Sequence, residues 1–299
     1  MVLSVACLTI GAARAQTQNR GVYPLGMSAT NSGVTPASGF TYGNQLLFYA
    51  RSSAKGNSGE TLPISGLNTV AMDMNSFIWV GTKTFWGARY AVTATIPVAK
   101  NDLTSDVHGR ISGGSGLADS YFLPAILAWD ADRVAVRAMY GFLAPTGRFN
   151  ADANDNVGSG YWTHTLSSGQ TFQLAKSKTV AISALEMYEF HATQEGTGIH
   201  PGGTFDLDYS LMGAVVRRDD VRVQLGPAGY LARQTTAKTG PNLDPALSEE
   251  RYAVNGLGLA AVGALPKHKA NVVLKCFKEF ANRATYQGYS VQVAGAISF

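Results

Sequence analysis

From Phe40 to Phe299 the chain is built of segments in which apolar and polar side chains alternate one by one. A period of two means an extended strand with one face in an apolar medium and the other in a polar one. Twelve such segments run near 40–51, 68–80, 85–98, 118–129, 133–144, 169–176, 179–191, 204–216, 221–234, 251–264, 269–282 and 286–299. The connections between them sort by length. Long ones at 52–67, 99–117, 145–168, 192–203 and 235–250 alternate with short ones at 81–84, 130–132, 177–178, 217–220 and 266–267. The last, near Arg283, is short where a long one is due. An up-and-down barrel in a membrane sorts its loops this way, and a soluble sandwich has no reason to. The predicted fold class is all-β: a transmembrane antiparallel barrel of about 12 strands, with short periplasmic turns and long extracellular loops.

Composition removes the competing classes. Charged residues are 15% of the 299 and hydrophobic ones 45%, which excludes a disordered chain. No charge-free apolar run reaches the roughly 18 residues that a spanning helix needs. Two cysteines are too few for a disulfide scaffold. The apolar side chains must be covered, and a closed barrel in lipid covers them while pairing every backbone N–H and C=O.

The alternation assigns faces. On 204–216, Phe205, Leu207, Tyr209, Leu211 and Val215 share one face, and Asp206, Asp208, Ser210 and Met212 the other. On 85–98 an apolar row from Trp86 to Val98 opposes Arg89, Thr93 and Thr95. On 133–144 Val134, Val136, Ala138, Tyr140 and Phe142 oppose Arg137. A one-residue slip would move these charges into lipid, at about 2–4 kcal/mol for Lys or Arg at the midplane. The pore-lining residues expected on this ground are Asp73, Arg89, Arg137, Asp206, Asp208, Arg222, Lys275 and Glu279. For Asp73 the matching lipid row is Val70, Met72, Met74, Ile78 and Val80, although Phe77 and Trp79 share the face of Asp73. Glu186 and Glu189 have opposite parity, which a bulge or a strand end would reconcile. The last segment is the clearest. Tyr289, Val291, Val293, Ile297 and the terminal Phe299 form one row, resembling the C-terminal signal read by the outer-membrane insertion machinery.

The N-terminus, MVLSVACLTIGAARAQ, carries an apolar stretch followed by Ala13-Arg14-Ala15. It reads as a signal peptide over 1–15, lacking the usual basic start, and a short buried strand is the other reading. Cys7 lacks the preceding Leu of a lipoprotein signal. Without residues 1–15 and their one Arg, 23 basic residues face 20 acidic ones, a net charge of +3. No Lys/Arg run accompanies it, so no nucleic-acid partner is expected. Cys276 is then the only cysteine. Residues 16–39 show no period and read as an irregular arm, leaving 40–299 for the barrel.

Several stretches also match a family. They are Gly116-Leu117-Ala118-Asp119 with Pro124, Gly141 through Pro145-Thr146-Gly147, and Gly158 through Tyr161-Trp162-Thr163. The run from His200-Pro201-Gly202 to Asp208-Tyr209 and the tail from Phe280 to Gly288 complete the set. With these the chain resembles the outer-membrane proteins named for the meta-pathway of phenol degradation, a family of transporter barrels. The resemblance implies a bacterial outer-membrane location, outer-membrane lipid as surroundings, and passage of hydrophobic compounds, aromatic ones among them. It supplies no catalytic residue.

The chemistry-bearing residues point the same way. His108, His164, His191, His200 and His268 form no metal-ligand spacing, and there is no C-x-x-C. Asp206 and Asp208 are close enough to share a cation, but lumen charges balanced by arginines are the simpler reading. The acidic, amide-rich run at Asp152, Asn154, Asp155 and Asn156 reads as a solvated loop rather than a calcium site. Gly113-Gly114-Ser115-Gly116 is neither a phosphate loop nor a nucleophile elbow. The expected function is an outer-membrane channel for passive uptake of small hydrophobic solutes, not an enzyme, with no cofactor and no metal. Arm 16–39 or loop 145–168 would be its constriction. The alternatives are a lipid-acting barrel enzyme using His164 with Ser167 or Ser168, and an exported soluble β binding protein.

Overall fold

The computed structural model describes residues 20–106, 109–241, 243 and 245–299, with the side chains at 64, 65, 246 and 247 left aside. The expected signal peptide over 1–15 lies outside the described residues. The strands are β1 (Gly39–Lys55), β2 (Thr61–Phe85), β3 (Ala88–Ser105), β4 (Gly109–Leu117), β5 (Ser120–Asp130), β6 (Val134–Ala144) and β7 (Thr163–Gln173). They continue with β8 (Val180–His191), β9 (Thr204–Arg217), β10 (Arg222–Gln234), β11 (Ala253–Leu265), β12 (Ala270–Glu279) and β13 (Thr285–Ser298). All pair antiparallel with neighbours, and β1 pairs with both β2 and β13, so the sheet closes on itself. β3 pairs with β5 over its first half and with β4 over its second. β4 and β5 therefore share one position, and the barrel has 12 strand positions.

Two loop expectations change. The hairpins β1–β2 and β3–β4 continue as sheet through much of what reads as loop at 52–67 and 99–117, and Gly113 to Gly116 lie in β4. Glycine-rich, polar strand above the apolar band leaves no alternation to see. Among the described residues β4 pairs only with β3, and Gly113 N donates to Asn154 O at 2.8 Å. The segment expected at 169–176 begins six residues earlier, at Thr163.

The faces of β9 follow the alternation. Leu211 and Val215 are exposed on the outside, while Asp206 and Asp208 are fully buried in the lumen. Outward apolar residues such as Leu225, Leu257, Leu259, Val272, Leu274, Val293 and Ile297 continue this band around the wall. Phe40 stacks on Phe77 and Phe299 at the short-turn end, with centroids 6.5 and 5.9 Å apart. Phe142–Trp162 and Tyr188–Phe190 cluster towards the long-loop end. Rings at both edges of an apolar band are what two membrane interfaces select. In the short turns, Lys178 donates to Asp132 at 2.6 Å and holds its carboxyl below the ordinary range.

β2 corrects the reading of Asp73. Val70, Met72 and Met74 point into the lumen, and Asp73 points outward beside Asn75, Phe77 and Trp79. The register decides this: Leu47, a lumen residue, lies opposite Met72, and Leu46 lies opposite Asp73. Asp73 is tolerated there because Asn44 donates to it at 2.5 Å and Asn75 at 3.3 Å. An outward Asp also costs less than an outward Lys or Arg. β8 needs no bulge. Glu189 points inward, and Glu186 points outward, accepting from Ser168 Oγ and Gln170 Nε2 at 2.8 Å each.

Candidate functional site

The lumen is filled by the arm. Residues 20–38 enter at the long-loop end, run the length of the barrel and leave at the short-turn end, where β1 begins. At the entrance Arg20 forms a two-pronged bond with Glu279, Nη1–Oε1 2.7 Å and Nη2–Oε2 3.1 Å, and also donates to Tyr286 O. Gly21 N donates to Tyr252 Oη at 2.6 Å. Glu189 accepts from Val22 N at 3.0 Å and Tyr23 N at 2.7 Å. Asp208 accepts from Tyr23 Oη at 2.6 Å, Gly26 N at 2.8 Å and Ser28 N at 3.0 Å. Lys275 donates to Gly26 O and Met27 O at 2.7 and 2.5 Å, and Gln292 Nε2 to Leu25 O at 2.8 Å. At the exit Arg89 donates to Pro36 O at 2.7 Å and pairs with Asp130.

Of the residues expected to line a pore, Asp208, Lys275, Glu279 and Arg89 are thus latches for the arm. Arg137 and Asp206 are also inside, and Arg137 Nε and Asp206 Oδ2 are buried without a hydrogen-bond partner among the described residues. Arg222 does not line the lumen; it is the first residue of β10, exposed at the short-turn rim opposite Arg217. Asp73 is outside. Arg20, Tyr23, Glu189, Tyr252 and Gln292 complete the latch set, and alternation does not reveal them. Across the whole latch set most bonds go to backbone N–H and C=O of the arm, which any residue supplies, so the arm carries no periodic signal.

Among and below the latches the lumen is a packed core. Tyr23, Leu25 and Ala29 of the arm meet Ile126, Met139, Leu185, Met212, Tyr230 and Phe277. Two glycines permit the closest approach. A Cβ on Gly33 would lie 2.0 Å from Ala135 O, and one on Gly169 would lie 2.1 Å from Ser32 O. Gly169→Val is therefore expected to destabilise the lower seat of the arm by about 1–3 kcal/mol, the usual cost of overpacking. The measurement is labelling of Ser32→Cys by a charged maleimide, which should speed up in the Gly169→Val background. Unchanged labelling would refute this seat.

Above the core lies a cavity of about 440 Å³, lined by the arm, by β1–β4 and, across the lumen, by residues of other strands such as Tyr121, Met187 and Asp206. Leu25, Met27, Leu47, Met72, Met74 and Leu103 are among its apolar lining residues, and Phe149 and Ala153 of the 145–162 loop contribute to its lining. Its polar groups include Arg20, Arg51, Asp119 and Asp206. That volume is within the range of small-molecule sites. Among the described residues no cluster of His, Cys, Asp and Glu is arranged to hold a metal ion.

The residues of the enzyme alternative are not brought together. His164 Nδ1 bonds Tyr140 Oη at 2.9 Å on the outer wall, Ser167 points inward, and Ser168 is engaged by Glu186 and Gln170. His164 and Ser168 are four residues apart on one strand, about 13 Å.

Residues 50–294 match the family described as "Putative MetA-pathway of phenol degradation". No curated protein matches the sequence. Among solved structures, the COG4313 outer membrane channel from Pseudomonas putida F1 is similar with a TM-score of 0.72 at 13% identity, covering 90% of this chain and 98% of that one. The β domain of the Bordetella autotransporter BrkA is similar at 0.58 and 12% identity, covering 88% and 100%. At these identities the likeness is one of fold, a twelve-position closed barrel with its apolar face to the membrane. A family match over most of the chain, carried on that barrel, makes this protein a member of the phenol-degradation MetA-pathway family.

Proposed function

We propose that this protein is a bacterial outer-membrane channel for passive uptake of small hydrophobic compounds, aromatic ones among them. The observation that carries the reading is the apolar cavity in the long-loop half of the lumen, cut off from the short-turn end by the arm. A solute entering between the long loops leaves water for the surface formed by Leu47, Met72 and Met74. The gain is roughly 25 cal/mol per Å² of apolar area covered. Methionines suit varied solutes because their thioethers reshape at little cost. Passage then needs the arm to shift, with the concentration gradient as the driving force and no cofactor. The family description and the name of the Pseudomonas putida channel support this class of activity. The row Tyr289, Val291, Val293, Ile297 and Phe299 serves, on this reading, as the signal for the barrel-insertion machinery.

The test is growth and uptake on a panel of aromatic and aliphatic carbon sources, with and without the protein. Loss of uptake should be confined to hydrophobic solutes at limiting concentration. Met72→Trp, which fills the cavity, should depress the same uptake while leaving heat-modifiable gel mobility intact. Unaltered uptake in both strains would refute the proposal.

A further inference from the structure

We propose that the cavity binds amphipathic carboxylates, an alkyl or aromatic body ending in a carboxylate, with Arg51 as the anion-binding residue. The proposal rests on the channel reading and names the solute class within it. Arg51 lies on the lumen face of β1 at a bulge, where the register skips from Arg51 to Ser53 against both β2 and β13. Bulges re-aim side chains and recur beside functional sites. The guanidinium is held in place on two sides. Its Cζ sits 4.2 Å from the centroid of the Tyr49 ring, and Nη1 donates to Asn68 Oδ1 at 3.2 Å. Its Nε is buried and has no hydrogen-bond partner among the described residues.

A buried cation normally has a carboxylate beside it. Arg51 makes no ion pair among the described residues. Glu279, the nearest candidate by strand position, is already saturated by Arg20 at 2.7 and 3.1 Å, Asn282 at 3.1 Å and Gly288 N at 3.0 Å. Asp206, the unpartnered carboxylate of the same cavity, is on β9, five strand positions round the barrel. A guanidinium takes a carboxylate in a parallel two-bond arrangement through a pair of its N–H groups, as Arg20 does with Glu279 through Nη1 and Nη2. Beside Arg51, Leu47, Val70 and Met72 continue the wall as apolar surface. A charged head at Arg51 and an apolar body along β1 and β2 satisfy both halves of the site.

The experiment is calorimetric titration of the full-length protein in detergent with 4-phenylbutyrate and with 4-phenyl-1-butanol, at neutral pH. The acid should bind about 10- to 100-fold more tightly than the alcohol, the range for a charge-assisted hydrogen-bonded contact. Arg51→Met should remove that preference and leave the alcohol unaffected. Arg51→Lys should keep part of it, because it retains the charge and loses the planar fork. The wild-type comparison needs no variant, so a folding defect in Arg51→Met does not spoil the test. Equal binding of acid and alcohol by the wild type overturns the carboxylate site and leaves the channel reading standing. Binding of neither overturns both.

Discussion

Excising residues 20–36 should convert a closed barrel into a conducting pore. In planar bilayers the full-length protein should show little steady conductance and the excised form large, stable steps. Liposomes should swell in small sugars only with the excised form. The same opening should appear in part from a single latch substitution. Asp208 accepts three hydrogen bonds from the arm. Asp208→Ala removes them all, and at about 1–1.5 kcal/mol each this is roughly 3 kcal/mol of docking energy. That amounts to about a 100-fold rise in the undocked population. Lys275→Met should act in the same direction and more weakly, since two arm carbonyls lose one shared donor. If the excised barrel stays as tight as the intact one, the inward side chains of the short-turn half, Val80, Ile126 and Met212 among them, close the lumen by themselves.

Placing an arginine on the outer wall should be far more damaging than placing one on the inner wall, even where the replaced residues are equally apolar. Leu207 faces outward on β9, between Asp206 and Asp208, which face in. Leu207→Arg should cost about 2–4 kcal/mol in lipid and lower the folded, heat-modifiable fraction. Met72 faces the cavity, where an arginine can reach water and the polar groups of the lumen. Met72→Arg should therefore leave insertion nearly unchanged while altering solute binding. The urea midpoint of each variant in lipid vesicles decides the matter. Equal loss in both would mean that β2 presents its methionines to lipid, as the plain alternation suggests, and that the register with β1 is wrong.

That contrast marks the limit of what alternation can say. On β9 only one phase keeps charges out of lipid, so Asp206 and Asp208 could be assigned to the lumen from residues alone. On β2 both phases carry large apolar side chains, since Met72 and Met74 compete with Phe77 and Trp79. A lone Asp73 then misleads, because Asn44 and Asn75 make its outward position affordable. Glu186 behaves similarly, with Ser168 and Gln170 as its partners. A carboxylate counts as evidence for the lumen only when no neighbouring strand can hydrogen-bond it, and that depends on pairing across strands.

The candidate site divides along the same line. Lys275, Glu279, Asp208 and Arg89 stand out in the sequence as charges in the inner phase, yet their task as latches is invisible there. Their partners are mostly main-chain atoms of an arm whose side chains follow no pattern. Arg51 was hidden differently: it keeps the parity of Leu47 and Tyr49, but β1 carries large apolar side chains on both faces, with Leu46 and Phe48 on the other, so alternation there does not mark the lumen.

By itself, then, the order of residues determined a closed antiparallel wall, its loop ends and the oily outside. Those follow from local rules: period two, turn chemistry and the cost of charge in hydrocarbon. Only the tertiary structure decided that the interior is occupied, by which segment, and where room remains for a solute. Filling a lumen is a matter of volume and of long-range bonds to backbone atoms, and neither leaves a mark on the succession of side chains.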